Sequence, residues 1–249
     1  MTDGPILLVA GASSGMGRAT ARHLGKGSGH IILAARRQDL CEEAAEQIRA
    51  EGGSAEAMAF DGTDAASVAA LIAQIDQKHG RLDGAFNNIG NTMGDGPLHE
   101  MPLDQWDASM AVNLSSIFYL LRAQVPLMLR GGGGRIVNNS STGGVQGTPN
   151  MADYSAAKWG VIGLTKSAAK EYSGQGIAIN VIAPGIIATE RFQEIAANIP
   201  EVFEKLAAET PIGRFGAMEE IAATVDWLLR AAPAYMTGTV LPLDGGRTA

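Results

Sequence analysis

The chain has 249 residues with 46% hydrophobic side chains, enough to bury a full core without disulfides or a structural metal. Its single cysteine, Cys41, permits no intrachain bridge and no multi-cysteine metal site, so no metal is expected. The net charge of −7 argues against a nucleic-acid partner, because phosphate binding draws on clustered Lys and Arg.

Short apolar runs alternate with longer amphipathic stretches, the pattern of βαβ units in a parallel sheet. The first strand is predicted at 6–10 and runs into Gly11-Ala12-Ser13-Ser14-Gly15-Met16-Gly17 before a helix at 17–27. Glycines there let the backbone turn tightly and approach a pyrophosphate at the helix N-terminus. The spacing G-x-x-x-G-x-G is neither the usual dinucleotide fingerprint nor a P-loop. A second strand at 30–35 ends on Arg36-Arg37, where an acid would bond a ribose hydroxyl. Two guanidiniums at that place suit a 2′-phosphate and so favour NADP(H) over NAD(H); a solvated loop pair is the plain alternative. Asp39 fits the start of the next helix, 39–51, better than a ribose contact. A strand at 55–60, a helix at 64–79 opened by Asp64, and a strand at 82–88 follow.

Pro102 opens a long helix at 103–130, the glycines 131–134 make a turn, and a strand at 135–139 leads to Ser140-Ser141 at its carboxyl end. Ligands bind along that edge of a parallel sheet. A helix at 151–173 places Tyr154 and Lys158 four apart on one face. A phenol with an ordinary pKa near 10 is a poor acid at pH 7. Lowering it by about three units takes about 4 kcal/mol, which a Lys ammonium and a bound nicotinamide cation can supply. Ser141 can orient a carbonyl oxygen beside that phenol, or simply bond its own turn. A strand at 178–183, a helix at 218–230 and a strand at 240–243 complete the chain. No composition shift or repeat divides it. A single-domain, doubly wound Rossmann-type α/β fold is expected over 1–249, about seven parallel strands with helices on both faces. The opening Met1-Thr2-Asp3-Gly4-Pro5 has no basic stretch followed by an apolar one, and nowhere do 18 apolar residues run uninterrupted. A soluble cytoplasmic protein without a membrane partner is therefore expected.

Together these residues resemble the short-chain dehydrogenase/reductase family over essentially the whole chain. The glycine turn is similar to its T-G-x-x-x-G-x-G loop, with Ala10 in place of threonine. Asn87-Asn88-Ile89-Gly90 resembles its N-N-A-G motif, with Ile89 in place of alanine. Ser141, Tyr154 and Lys158 resemble the catalytic set, and Asn113 falls at its fourth position. Pro184-Gly185 with Thr189 resembles P-G-x-x-x-T, whose threonine meets the nicotinamide amide, and Asp61 resembles the aspartate that contacts adenine.

The resemblance implies hydride transfer between NADP(H) and a carbonyl. Tyr154 would act as general acid, Ser141 would hold the carbonyl oxygen, Lys158 would depress the tyrosine and grip a ribose, and Asn113 would order a relay water. It implies a cofactor surface of Gly11, Ser13, Ser14, Gly15, Met16, Gly17, Arg36, Arg37, Asp61, Gly62, Asn88, Ile89, Gly90, Tyr154, Lys158, Pro184, Gly185, Ile187 and Thr189. Ser141, Val145, Met151 and Phe192 are candidate substrate contacts. A lid at 186–211, with Ile186, Ile187, Phe192, Ile195 and one early cation, Arg191, leans toward a medium-sized apolar ketone or aldehyde. Two alternatives stand beside this reading. One is an NAD-dependent alcohol or polyol dehydrogenase, because Ser14 sits where NADP-preferring relatives often place a basic residue. The other is a non-catalytic dinucleotide-binding regulator, against which the intact Ser, Tyr and Lys speak. The family commonly forms tetramers through the helices 103–130 and 151–173, so a homo-oligomer is expected.

Overall fold

Apolar residues that alternate between two sides of a strand must be covered twice, and the chain does this with helices on both faces of one sheet. The strands are β1 (Ile6–Ala10), β2 (His30–Ala35), β3 (Ser54–Ala59), β4 (Gly84–Asn87), β5 (Gly134–Asn139), β6 (Ile177–Pro184) and β7 (Val240–Leu243). All pair in parallel, in the order β3-β2-β1-β4-β5-β6-β7. This computed structural model describes residues 4–249. Residues 1–3, part of the stretch read above for a leader, lie outside the described residues. So do the side chains of Arg191 and Ile195, both named above in the lid, and of Val202.

In β1, Ile6, Leu8 and Ala10 face one core while Leu7 and Val9 face the other. The first core is closed by α3 (Ala65–His79), α5 (Ser116–Arg130) and α6 (Ala152–Tyr172). The second is closed by α1 (Gly15–Gly25), α2 (Gln38–Ala50) and α9 (Met218–Arg230). Burial on both faces is why the strands read as unbroken apolar runs. The chain leaves β1 toward β2 on one side and reaches β4 on the other, and a crevice opens at the carboxyl ends where this direction reverses.

Two elements depart from expectation. The helix 103–130 is not uniform. It comprises α4 (Leu103–Met110), a π-helical turn over Ala111–Ser115 and then α5. By length and composition this stretch could cross a membrane, yet half of it is buried inside the fold, and that burial accounts for its apolar character. The segment expected as a lid holds two helices, α7 (Glu190–Asn198) and α8 (Pro200–Ala208). Pro200 stands in the first turn of α8, where its missing N–H costs nothing.

Candidate active site

The glycine turn after β1 fits a backbone approach and excludes side chains. Gly11 has φ +86°, and a Cβ there would stand 2.6 Å from the Asn88 carbonyl oxygen; one on Gly17 would stand 2.1 Å from the Gly11 carbonyl oxygen. The hydroxyl that Ala10 lacks is replaced by other braces. The Gly11 N–H donates to the Ala34 carbonyl at 2.8 Å, and Asn88 Nδ2 donates to the Gly11 carbonyl at 3.4 Å. Asn88 is itself held by Asn139, whose Nδ2 donates to its Oδ1 at 2.8 Å. Ser14 begins α1 without a side-chain cap bond, so the first-turn N–H groups face the crevice as an anion site.

The two arginines separate. Arg37 folds back over the turn, its Nη2 3.0 Å from both Ser13 Oγ and Ser14 Oγ. Arg36 is exposed and acts by charge on Asp61. Hydrogen bonds from the Thr63 N–H and hydroxyl, at 2.9 and 2.7 Å, hold the Asp61 carboxyl below its ordinary range, with Arg36 adding to the effect. Ile89, the bulkier residue at its position, turns its Cδ1 over Gly62, 2.3 Å from where a Cβ would stand. Met16 is partly buried against the second core. Across the crevice, the Thr189 methyl lies 3.5 Å from the Cβ position of Gly15, while its hydroxyl accepts the Phe192 N–H at 3.3 Å and caps α7. Ile187 is buried and bridges to Gly216. Gly185, after Pro184, packs on Asp244 and donates its N–H to the Leu243 carbonyl at 3.0 Å.

At the end of β5, Ser141 meets the first turn of α6. Its Oγ accepts the Gly143 N–H at 3.1 Å, and its hydroxyl also shares a hydrogen bond with Tyr154. One turn further, Lys158 is fully buried. Its Nζ lies 5.6 Å from the centroid of the Tyr154 ring and donates to the Asn139 carbonyl at 2.9 Å. Gly90 closes the other side, since a Cβ there would stand 2.9 Å from Lys158 Nζ and 3.0 Å from Asn113 Oδ1. Asn113 sits in the π-helical turn, a feature often found at functional sites. It is fully buried. Its Oδ1 accepts the Asn91 N–H at 3.0 Å, and its Nδ2 donates to the Asn91 carbonyl at 2.8 Å and to Ser109 Oγ at 3.3 Å. The amide therefore clamps the loop after Gly90.

The electrostatics correct one expectation. Burial raises the Tyr154 phenol, only partly offset by the Ser141 bond, and burial pushes the Lys158 ammonium down to about 8. Burial outweighs the Ser141 bond, and the phenol stands above its ordinary range. A lysine in a dry site gives up its own proton more readily.

Of the candidate substrate contacts, Val145 packs on the first core and Met151 is half-buried at the start of α6. The Phe192 ring instead packs edge-on against Phe203 and Phe215, with centroids 4.4 and 4.8 Å away, and so ties α7 to α8. A cavity of about 280 Å³ lies between this segment and the chain end, lined by Ile186, Ile187, Ile212 and Asp244 among others; none of Ser141, Tyr154 and Lys158 lines it. Sequence reasoning missed a buried amide network beneath the site. Asn87 Nδ2 donates to Asn138 Oδ1 at 2.9 Å and to Gln124 Oε1 at 3.1 Å, and Asn138 Nδ2 donates to Thr165 Oγ1 at 2.9 Å. The available signal was asparagine at the inner ends of two otherwise apolar strands.

Comparison with known proteins agrees with this geometry. The family model described as enoyl-(acyl carrier protein) reductase matches residues 11–248. The A-factor type gamma-butyrolactone 1′-reductase (1S-forming) of Streptomyces virginiae is 36% identical over 98% of this chain and 95% of its own. The 3-oxoacyl-[acyl-carrier-protein] reductase of Synechocystis sp. is 38% identical over 97% and 96%. The crystal structure of a gluconate 5-dehydrogenase from Burkholderia cenocepacia, in complex with NADP and tartrate, superposes with a TM-score of 0.92. Its identity is 30%, with 99% of this chain and 96% of that one covered. The chain belongs to the short-chain dehydrogenase/reductase family and is an oxidoreductase acting on CH–OH and C=O groups.

Proposed function

We propose that the chain is an NADP(H)-dependent reductase that converts a ketone or aldehyde to an alcohol. The observation that carries the reading is the hydroxyl pair of Ser141 and Tyr154 with Lys158 buried behind it, at the carboxyl edge of the sheet. The side-chain-free cradle around Gly11 and the open first turn of α1 fit a pyrophosphate. Arg37, drawn over Ser13 and Ser14, supplies the positive charge that Ser14 does not, and supports a 2′-phosphate there. That weakens the NAD-linked alternative, which rested on Ser14. The NADP in the gluconate 5-dehydrogenase structure supports the same cofactor, and the names of the two reductase relatives support the reductive direction.

When bound, the cofactor supplies the hydride. Tyr154 donates its proton to the developing alkoxide oxygen as general acid. Ser141 donates a hydrogen bond to the same oxygen and fixes its orientation. Lys158, held by the Asn139 carbonyl, adds positive charge beside the phenol when protonated and grips the ribose. Asn113 holds the Gly90 and Asn91 loop that walls this group, and through that loop the relay water. Residues 186–211 act as the lid, with Val145 and Met151 at its mouth. The exposed Trp106, Phe118 and Trp159 on the two long helices support self-association through those faces.

The test is a parallel fluorescence titration of the purified protein with NADPH and NADH. Preference for NADPH that is lost when Arg36 and Arg37 become Ala supports the reading. Preference for NADH overturns the arginine argument, and binding of neither overturns the cofactor reading.

A further inference from the structure

At the opposite edge of the sheet from the catalytic group, two imidazoles converge on one carboxylate oxygen. His30 opens β2. Its register partner on β3 is Ser54, and Glu56 lies two residues along the same face. His79 is the last residue of α3, the helix that covers this face. The Nε2 atoms of His79 and His30 stand 2.7 and 3.3 Å from the same Glu56 Oε1, and the three ligating atoms all lie within 4.8 Å of one another. The three side chains are 12%, 22% and 16% exposed for His30, Glu56 and His79.

We propose that His30, Glu56 and His79 form a binding site for a divalent zinc-type cation, with the fourth coordination position open. Two nitrogens and one carboxylate oxygen are a donor set that zinc takes, at about 2.0–2.2 Å from each ligand. Tetrahedral ligands at that distance stand about 3.4 Å apart. The His30 spacing already matches, and His79, at 2.7 Å, has to draw back by about 0.7 Å. The outer partners suit the same task. Ser54 Oγ lies 2.7 Å from His30 Nδ1, so the Nδ1 proton can sit on that bond and leave the Nε2 lone pair aimed at the ion. Lys78 Nζ takes Glu56 Oε2 at 2.5 Å and leaves Oε1 for the ion. An ion there would join the edge strand, its neighbour and the end of α3. The expectation of no metal rested on cysteine count, and ligands at positions 30, 56 and 79 follow no short motif.

The test titrates zinc chloride into the full chain by calorimetry, in chelator-free buffer, with cobalt chloride as a spectroscopic probe. One zinc per chain and visible cobalt absorption of tetrahedral intensity are expected. His79→Gln and Glu56→Gln should each weaken zinc by about a hundredfold or more, and Ser54→Ala by about 10–100-fold. The exposed His99→Ala should change nothing. Zinc at a hundred times its Kd should raise the melting temperature by about 5–10 °C in the parent chain and not in the two ligand variants. Because Ser54→Ala keeps all three ligands, it serves as the variant should His79→Gln fail to fold. No zinc uptake, or uptake and stabilisation that survive Glu56→Gln and Ser54→Ala, overturns the site and leaves a hydrogen-bonded cluster complete without a metal.

Discussion

Lys158 is held in the fold at a cost, and removing it should stabilise the protein while ending its chemistry. Burial takes the ammonium from its ordinary 10.5 to about 8. At about 1.4 kcal/mol per tenfold change in proton affinity, the folded state disfavours the charge by about 3 kcal/mol at pH 7. Lys158→Met keeps the volume and removes the charge, but it also removes the bond to the Asn139 carbonyl, worth about 1 kcal/mol. The net gain is about 2 kcal/mol, or about 4–8 °C in Tm for a chain of this size. The sign with pH is fixed by linkage. Between about pH 8 and 10.5 the unfolded lysine binds a proton that the folded one has lost, so parent stability rises with pH through that window. The advantage of the variant should therefore be full at pH 7 and fade toward pH 10.5. Paired thermal melts from pH 7 to 10.5 measure this directly. A variant that melts at or below the parent at pH 7, or whose advantage is constant with pH, refutes the reasoning. Carbonyl reduction by the same variant should be lost.

Three further changes probe other parts of the site. Tyr154→Phe should lower turnover by about 10²–10⁴-fold, the usual worth of a general acid, with the NADPH Kd from fluorescence titration within about twofold of the parent. Arg37→Ala removes a charge-assisted partner of about 1.5–3 kcal/mol; the NADPH Kd should rise about 10–100-fold and the NADH Kd stay unchanged, and an equal loss for both would show that Arg37 only braces the loop. Asn87→Ala strips partners from Gln124 and Asn138, both fully buried. That should cost about 2–4 kcal/mol in urea unfolding, with the slope of the transition unchanged.

The fold was legible because its punctuation is local. Strands 6–10, 30–35 and 240–243 and helix 218–230 fall where the apolar runs and their flanking turns put them. Most other ends differ by one or two residues, as helix and strand ends usually do. What escaped is what depends on distant partners. The lid helices are short, and their aromatic side chains pack on one another and on Phe215, more than twenty residues beyond Phe192. The π-helical turn at Asn113 exists alongside bonds to Asn91, twenty-two positions away, and no periodicity in a window around 113 encodes that.

The site shows the same division more sharply. Ser141, Tyr154 and Lys158 were readable as types at a spacing, yet their proton affinities were not, because those follow from burial. Gly90 leaves no room for a side chain beside Lys158 Nζ, and burial alone shifts the ammonium among the described residues. Arg36 and Arg37 looked equivalent in sequence, and only the return of the chain over Ser13 and Ser14 distinguishes them. A helix spacing can bring a lysine to a tyrosine, but the same packing that dries the site raises the phenol and lowers the amine. The phenol therefore keeps its proton at neutral pH, the form that can donate to an alkoxide.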